Sequence, residues 1–145
     1  MIEKITLKGE QGKIEIDMHQ YERTDAAVRD DDCWITSRIT VEVPPFRGEF
    51  GIALAIGEIE FFRDQLAPAV NSLSGNVLFE NLQSDISLNI EFDKRGGATV
   101  KAVVGRPLGP SLTFQLNSDQ TYLRETLRDM DRAAKTFRET RSGSG

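Results

Sequence analysis

Runs in which apolar and polar residues alternate cover most of this chain, and this period of two constrains its fold more than any other feature. The clearest run is DISLNIEFD (85–93), in which every second residue from Ile86 to Phe92 is apolar. Because successive side chains of a β-strand point to opposite faces, such a run is typical of a strand with one buried face. Seven further segments show the same kind of pattern: Ile2–Lys8, Gly12–Tyr21, Trp34–Val43, Glu49–Ile56, Asn76–Leu82, Ala98–Gly105 and Leu112–Asn117.

Two other segments space their apolar residues by three and four, which is the period of an amphipathic helix. These segments predict helices at about 58–73 and 119–138. Pro68 lies inside the first and should kink or shorten it, and Ser74–Gly75 should end it with a glycine cap. The order of four strands, a helix, four strands and a helix predicts an α+β fold. We expect a single curved, mostly antiparallel sheet of about eight strands, with both helices packed on one face.

The length of the chain favours one domain rather than two. Its 145 residues predict a single α+β domain over 1–141, followed by a flexible tail, SGSG (142–145), of the kind that cloning can leave behind. The N-terminus lacks an apolar signal core, and no apolar run approaches the length of a membrane span. The one cysteine, which has no partner for an internal disulfide, fits a reducing compartment. These features predict a cytoplasmic protein without membrane association.

The charge of the chain favours some partners over others. The formal net charge is −5, and residues 1–118 alone carry 12 basic and 18 acidic side chains, a net of −6. Nucleic-acid binding requires Lys and Arg to replace phosphate counterions, so an acidic body argues against it and favours a basic partner. Arg124, Arg128 and Arg132 form a basic stripe on the last helix, but acidic residues lie beside it. We interpret that stripe as a solvated, partly salt-bridged face.

The sequence predicts no catalytic, cofactor or metal site. His19 is the only histidine and lies on the polar side of its strand, without an evident nucleophile nearby. Cys33 follows Asp32, and a neighbouring carboxylate raises the pKa of a thiol rather than activating it. Asp30 and Asp31 complete a run of three adjacent acids, which lacks the alternating ligands and glycine turn of a calcium loop. No nucleophile-elbow, zinc-protease or phosphate-loop motif is present, so we do not expect an enzyme.

The stretch DDDCWITSRITVEV (30–43) supplies the candidate partner-binding residues. Trp34 begins an alternating strand whose polar face also carries Glu42, and Trp is enriched at binding hot spots. Two interpretations of the acids remain open at this point, namely solubilising charge and the acidic rim of a binding face. Likewise, Trp34 can belong to the margin of the core. The predicted partner-binding set is Asp30, Asp31, Asp32, Trp34 and Glu42.

Several pieces of the sequence, taken in order, are similar to a known family. The acids before Trp34 are followed by F-x-G-x-F (46–50), SGNVLFENL (74–82) and LTFQLNSDQTYL (112–123). From about Ile14 to Phe137 the chain resembles the WapI-type immunity proteins of bacterial polymorphic toxin systems, and related small bacterial domains of unknown function. The most specific piece is DQTYL (119–123), for which we also predict a structural role, with Ser118 or Asp119 as the cap of the last helix.

The resemblance implies a non-catalytic inhibitor that binds and neutralises a cognate toxin C-terminal domain. Many such domains are nucleases with basic clefts, so the acidic body would suit a basic, nuclease-like surface. The resemblance identifies neither the toxin nor the interface, and the oligomeric state stays open. The alternative from a different class is a small-molecule carrier, in which the curved sheet forms a pocket for an apolar ligand.

Overall fold

A computed structural model of the chain describes residues 2–22, 34–106 and 108–143. Within these ranges it contains eight strands and two helices, in the predicted order. The strands are β1 (Glu3–Gly9), β2 (Gly12–Tyr21), β3 (Trp34–Val43), β4 (Phe46–Ala55), β5 (Asn76–Glu80), β6 (Ile86–Phe92), β7 (Gly97–Gly105) and β8 (Ser111–Asp119), and the helices are α1 (Ile56–Ser72) and α2 (Gln120–Gly143). The predicted α+β class is therefore confirmed.

The eight strands form two antiparallel sheets of four, where the sequence suggested one curved sheet. The first sheet has the order β1-β2-β3-β4 and the second the order β5-β6-β7-β8. Each sheet is a meander whose neighbouring strands are joined by short connections or by the segment after Tyr21. The division falls at α1, because 17 helical residues separate β4 from β5 and no hairpin can join them. Each half of the chain is thus four strands followed by one helix.

The first helix runs through the proline that was expected to kink or shorten it. Pro68 lies inside α1, which continues to Ser72, and the residue in the left-handed conformation after the helix is Leu73 rather than a glycine. Gly75 also has a positive φ, of 91°, in the turn that leads into β5. The predicted glycine turn is present, but it follows the cap instead of forming it.

One contiguous core lies between the sheets and the helices. The alternating residues of both sheets and the apolar stripes of both helices contribute to it, as shown by fully buried Ile39, Leu66, Ile90 and Leu123. The two halves also meet at their edges, where Glu10 N–H donates to Asn117 O over 2.9 Å. The outward side chains of the sheets stay outside this core, and they supply the candidate functional surfaces.

Candidate interaction site

The predicted partner-binding residues that the structure describes lie at opposite ends of one strand. Trp34 begins β3 and Glu42 is its last residue but one, on the same outward face. At about 3.3 Å per residue, the eight steps between them span about 26 Å. The structure therefore does not bring Trp34 and Glu42 together in one compact site. Asp30–Asp32 and Cys33 lie outside the described residues.

Between these ends, the outer face of the first sheet carries ion pairs that link neighbouring strands. Arg38 on β3 pairs with Glu49 on β4. Arg47 lies 3.1 Å from the second carboxylate oxygen of Glu49 and 3.5 Å from Glu42. Glu42 thus already has a basic partner within its own sheet.

The same pattern continues across β1 and β2. Lys4 Nζ lies 3.2 Å from Glu15 and 3.8 Å from Asp17, and Lys13 Nζ lies 3.3 Å from Glu15. Burial alone would raise the pKa of Glu15, but the hydrogen bonds from Lys4 and Lys13 outweigh it and hold that pKa below its ordinary value. The hydrogen bond from Arg38 likewise lowers the pKa of Glu49. Opposite charges therefore satisfy one another across this face.

Trp34 lies in a recess of about 420 Å³ where the first sheet meets the connections of the second. Arg106 forms part of this recess, donates to Gly51 O over 2.9 Å and lies over the Phe50 ring at 5.2 Å. Gln83, from the β5–β6 connection, lines the other side. We call this concavity the Trp34 recess.

A larger groove, of about 640 Å³, lies between α1 and the β5–β6 hairpin, and Leu82 of the same β5–β6 connection lines it. We call it the α1–β5 groove. Phe61 of α1, Leu78 of β5 and Leu82 of the connection line it, and they are 62%, 62% and 74% exposed. Large apolar side chains gathered in one exposed concavity are typical of a binding site.

The polar side chains of the groove include two carboxylates and a buried amide. Glu58 and Glu80 are the charged side chains of its lining, which includes no Lys or Arg among the described residues. Asn89, opposite Leu78 in the register of β5 and β6, also lines it. Its Oδ1 is buried and, among the described residues, accepts no hydrogen bond.

Buried hydrogen bonds hold the connection that presents Leu82. Asn81 Oδ1 accepts from the backbone N–H groups of Asp85 and Ile86, at 2.8 and 2.9 Å, and Asn81 Nδ2 donates to Asp85 over 3.2 Å. Glu58 accepts the N–H of Leu82 over 3.0 Å and so ties the connection to the start of α1. Leu82 is therefore held exposed by a fixed loop.

The α+β chain described here has a clear relationship to one protein family. A model of the immunity protein WapI-like family matches residues 4–138, which include all but the first residue of β1, the whole of β2–β8 and α1, and the first 19 of the 24 residues of α2. The chain belongs to the WapI-like immunity protein family. No curated protein matches its sequence.

The WapI-like chain also shares its fold with a solved structure, that of the plant transcriptional regulator PBF-2. The TM-score is 0.55, and the match covers 99% of this chain and 86% of that one. At 9% sequence identity this likeness extends to the fold alone.

Neither a metal centre nor a membrane helix is found in the parts of the WapI-like chain that the structure describes. No group of three or more His, Cys, Asp or Glu side chains in these ranges is placed to hold a metal ion. The helices in the same ranges are too short or too polar to cross a bilayer.

The basic stripe of α2 is partly salt-bridged, as its sequence indicated. Arg132 lies 2.9 Å from Asp129 and 3.2 Å from Glu3, and the hydrogen bond with Asp129 raises the pKa of Arg132. Asp131 of the same helix pairs with Arg63 of α1 at 3.5 Å and so links the two helices.

The residues of the α1–β5 groove were absent from the predicted set. Leu78 occupies an outward position in a strand whose inward positions are Val77 and Phe79, and Phe61 lies beside the buried stripe of its helix. The sequence signal for these residues was that they are apolar at positions where the pattern of their strand or helix predicts an exposed side chain. Their convergence could not be seen in the sequence, because 17 residues separate them.

Proposed function

We propose that this WapI-like protein protects a bacterial cell by binding a cognate toxin domain and neutralising it, without catalysing a reaction. The family match over 4–138 carries the proposal, because it extends over nearly the whole fold. An immunity role requires a stable surface complementary to one partner. The fixed, exposed apolar side chains around the α1–β5 groove suit that requirement. The proposed place of action is the cytoplasm.

The acidity of the chain supports a partner with a basic surface. With a net charge of −5, it would attract such a toxin domain over the range of the Debye length and accelerate association. In this proposal Trp34 extends the binding surface beyond the groove, since Gln83 of the Trp34 recess is the neighbour in sequence of Leu82 of the groove. Asp30–Asp32 keep the role of acidic rim that their sequence suggested. Glu42 would act only at the far margin.

A charge reversal tests that part of the proposal. Replacing Asp30, Asp31 and Asp32 by Lys should slow association with the toxin domain about tenfold at low salt, with the difference shrinking at high salt. The single control Glu42→Lys should have a much smaller effect. Thermal denaturation of each variant checks that the fold is retained, and equal association rates at all salt concentrations would exclude this steering.

The carrier alternative is less well supported by the shape of the groove. Small-molecule sites enclose most of their ligand, roughly 70–90% of its surface. Phe61, Leu78 and Leu82 are each more than 60% exposed, so the groove opens broadly to solvent. This shape suits a protein partner better.

Co-expression tests the proposed function directly. The proposal predicts that a large secreted toxin is encoded beside this chain. The C-terminal domain of that toxin would be induced in bacteria with the wild-type chain or with Ile39→Asp, which places a charge at a fully buried position. We expect growth and co-purification with the wild type, and growth arrest with the variant. Arrest that the wild-type chain does not relieve would refute the proposal.

A further inference from the structure

We propose that the α1–β5 groove is the surface on which the toxin domain docks, and that it receives a segment of defined chemistry. That segment carries a large apolar side chain, a hydrogen-bond donor for Asn89 Oδ1, and basic residues facing Glu58 and Glu80. The inference rests on the proposed function and adds the location and chemistry of the contact.

The apolar component comes from Phe61, Leu78 and Leu82, which the fold holds in place while leaving them exposed. The next residue of α1, Phe62, is 3% exposed and stacks on Phe79 of β5 with ring centroids 4.5 Å apart. This stack fixes α1 against β5 and so sets the width of the groove. A preformed apolar concavity binds an anchor side chain without the entropic cost of ordering it first.

The hydrogen-bonding component comes from Asn89. A buried amide oxygen without a donor costs stability, of the order of a lost hydrogen bond, and such groups are uncommon in folded proteins. Among the described residues, Asn89 Oδ1 is the buried side-chain polar atom that lacks a partner. Its position in the lining of the groove is explained if the amide turns toward the groove on binding and a partner supplies the missing N–H or O–H group.

The electrostatic component comes from the two carboxylates of the lining. Glu58 accepts hydrogen bonds from the N–H groups of Ala55 and Leu82, and Glu80 accepts one from Ser84 Oγ. These donors are all neutral, so neither carboxylate is paired with a Lys or Arg side chain among the described residues. By contrast, each carboxylate in the ion pairs on the outer face of the first sheet lies 3.1–3.8 Å from a Lys or Arg nitrogen. A basic segment therefore gains more in the groove than on the first sheet.

Affinity measurements with a matched pair of phenylalanines test the location. Phe61 and Phe46 are 62% and 60% exposed, but Phe46 lies at the far end of β4, outside the groove. Against the purified, catalytically inactivated toxin domain, Phe61→Ser and Leu78→Ser should each weaken binding about tenfold to a hundredfold, as at hot spots. Phe46→Ser should change it less than about threefold.

Two further variants test the chemistry. Asn89→Leu should weaken toxin binding about tenfold while leaving the thermal midpoint unchanged or higher, because it removes the unpaired amide. Glu80→Lys and Glu10→Lys change the net charge equally, but Glu10 lies at the β1–β2 turn. Docking in the groove predicts a clearly larger loss for Glu80→Lys, whereas general attraction predicts equal losses.

The possible outcomes separate this inference from the proposed function. Wild-type neutralisation together with unaffected binding by Phe61→Ser, Leu78→Ser and Asn89→Leu would overturn the groove and leave the immunity role intact. A wild-type chain that neither binds nor neutralises the toxin would overturn both. Sedimentation of the chain alone would reveal self-association. If the chain formed a dimer that Phe61→Ser dissociated without affecting toxin binding, the groove would belong to the contact between two copies. That result would overturn the inference.

Discussion

The two halves of the molecule share one plan, four antiparallel strands followed by a helix, but their outward faces differ in chemistry. On the first sheet, four basic and four acidic side chains form ion pairs, some within one strand and some between neighbouring strands. The outer face of the second sheet instead exposes Leu78 and Val103 and carries the pair Lys101–Glu91 at 3.8 Å, and Phe61 of α1 lines the groove together with Leu78.

The outer face of the first sheet already satisfies its own charges, whereas the α1–β5 groove leaves an apolar cluster exposed and, among the described residues, an amide oxygen unpaired. A sheet face that is covered with ion pairs is stable in water and disfavours association with another protein, because its charges already have partners. An exposed apolar cluster with an unpaired amide gains free energy only when something covers it. The comparison therefore assigns binding to the α1–β5 groove, at the margin of the second sheet.

The strongest test of this assignment uses two consecutive phenylalanines of α1. Phe62→Ala should lower the free energy of unfolding by about 3–5 kcal/mol, because it removes a buried ring stacked on Phe79. Phe61→Ala should cost about 0.5 kcal/mol or less, since that ring is mostly exposed. Urea unfolding of both variants measures the two costs.

Equal losses at the two positions would contradict the assignment, because Phe61 would then be a structural residue of the core. A change in the urea m-value of either variant would signal an altered denatured or native state, and the comparison would then use hydrogen exchange of α1 instead.

Much of the fold follows from local patterns in the sequence. The alternation in β6 predicted Ile86, Leu88 and Ile90 as buried, and they are 1%, 4% and 0% exposed. A period of two, however, says which face of a strand is buried and not which strand pairs with it. For that reason the alternation predicted the strands well but could not divide them between two sheets.

The end of β4 shows the same limit. Ile56 continues the alternation of Ile52 and Leu54, so it was assigned to the strand, yet it is the first residue of α1. A residue at such a junction can fit both the alternation of the strand and the spacing of the helix. The packing of the helix then determines to which element it belongs. The groove was likewise beyond local patterns, because α1, β5 and the β5–β6 connection create it only together.

The two helices differ in how their N-termini are capped. Before α2, Asp119 Oδ1 accepts the N–H of Tyr122 over 2.8 Å, as DQTYL predicted. Before α1, Ala55 offers no acceptor, and Glu58 instead accepts the N–H of Ala55 over 3.2 Å. Asp119→Ala should lower the free energy of unfolding by about 1 kcal/mol, as at other N-caps.

Asp119→Asn is the matched control, because an asparagine caps about as well and should restore most of that loss. Thermal and urea denaturation both measure the difference. An unchanged midpoint for Asp119→Ala would show that the hydrogen bond to Tyr122 contributes nothing to the stability of the second half.

The smallest expected effect concerns the ion pairs of the first sheet. Since the pKa of Glu15 is held below its ordinary value of 4.5, the folded state binds the proton less readily than the unfolded state. Its stabilising contribution is therefore present above about pH 4.5 and is lost as the pH falls through the lowered pKa. Glu15→Gln should cost about 0.5 kcal/mol at pH 7, typical of surface pairs, and less at pH 3.

Glu10→Gln, at the exposed β1–β2 turn, serves as the control for removing one negative charge. The urea midpoints of the wild type and both variants at pH 7 and pH 3 isolate the loss of stability that is due to the ion pairs of the first sheet. A Glu15→Gln deficit of the same size at both pH values would mean that Glu15 acts through packing and not through charge. In that case the ion pairs of the first sheet would no longer distinguish it from the second.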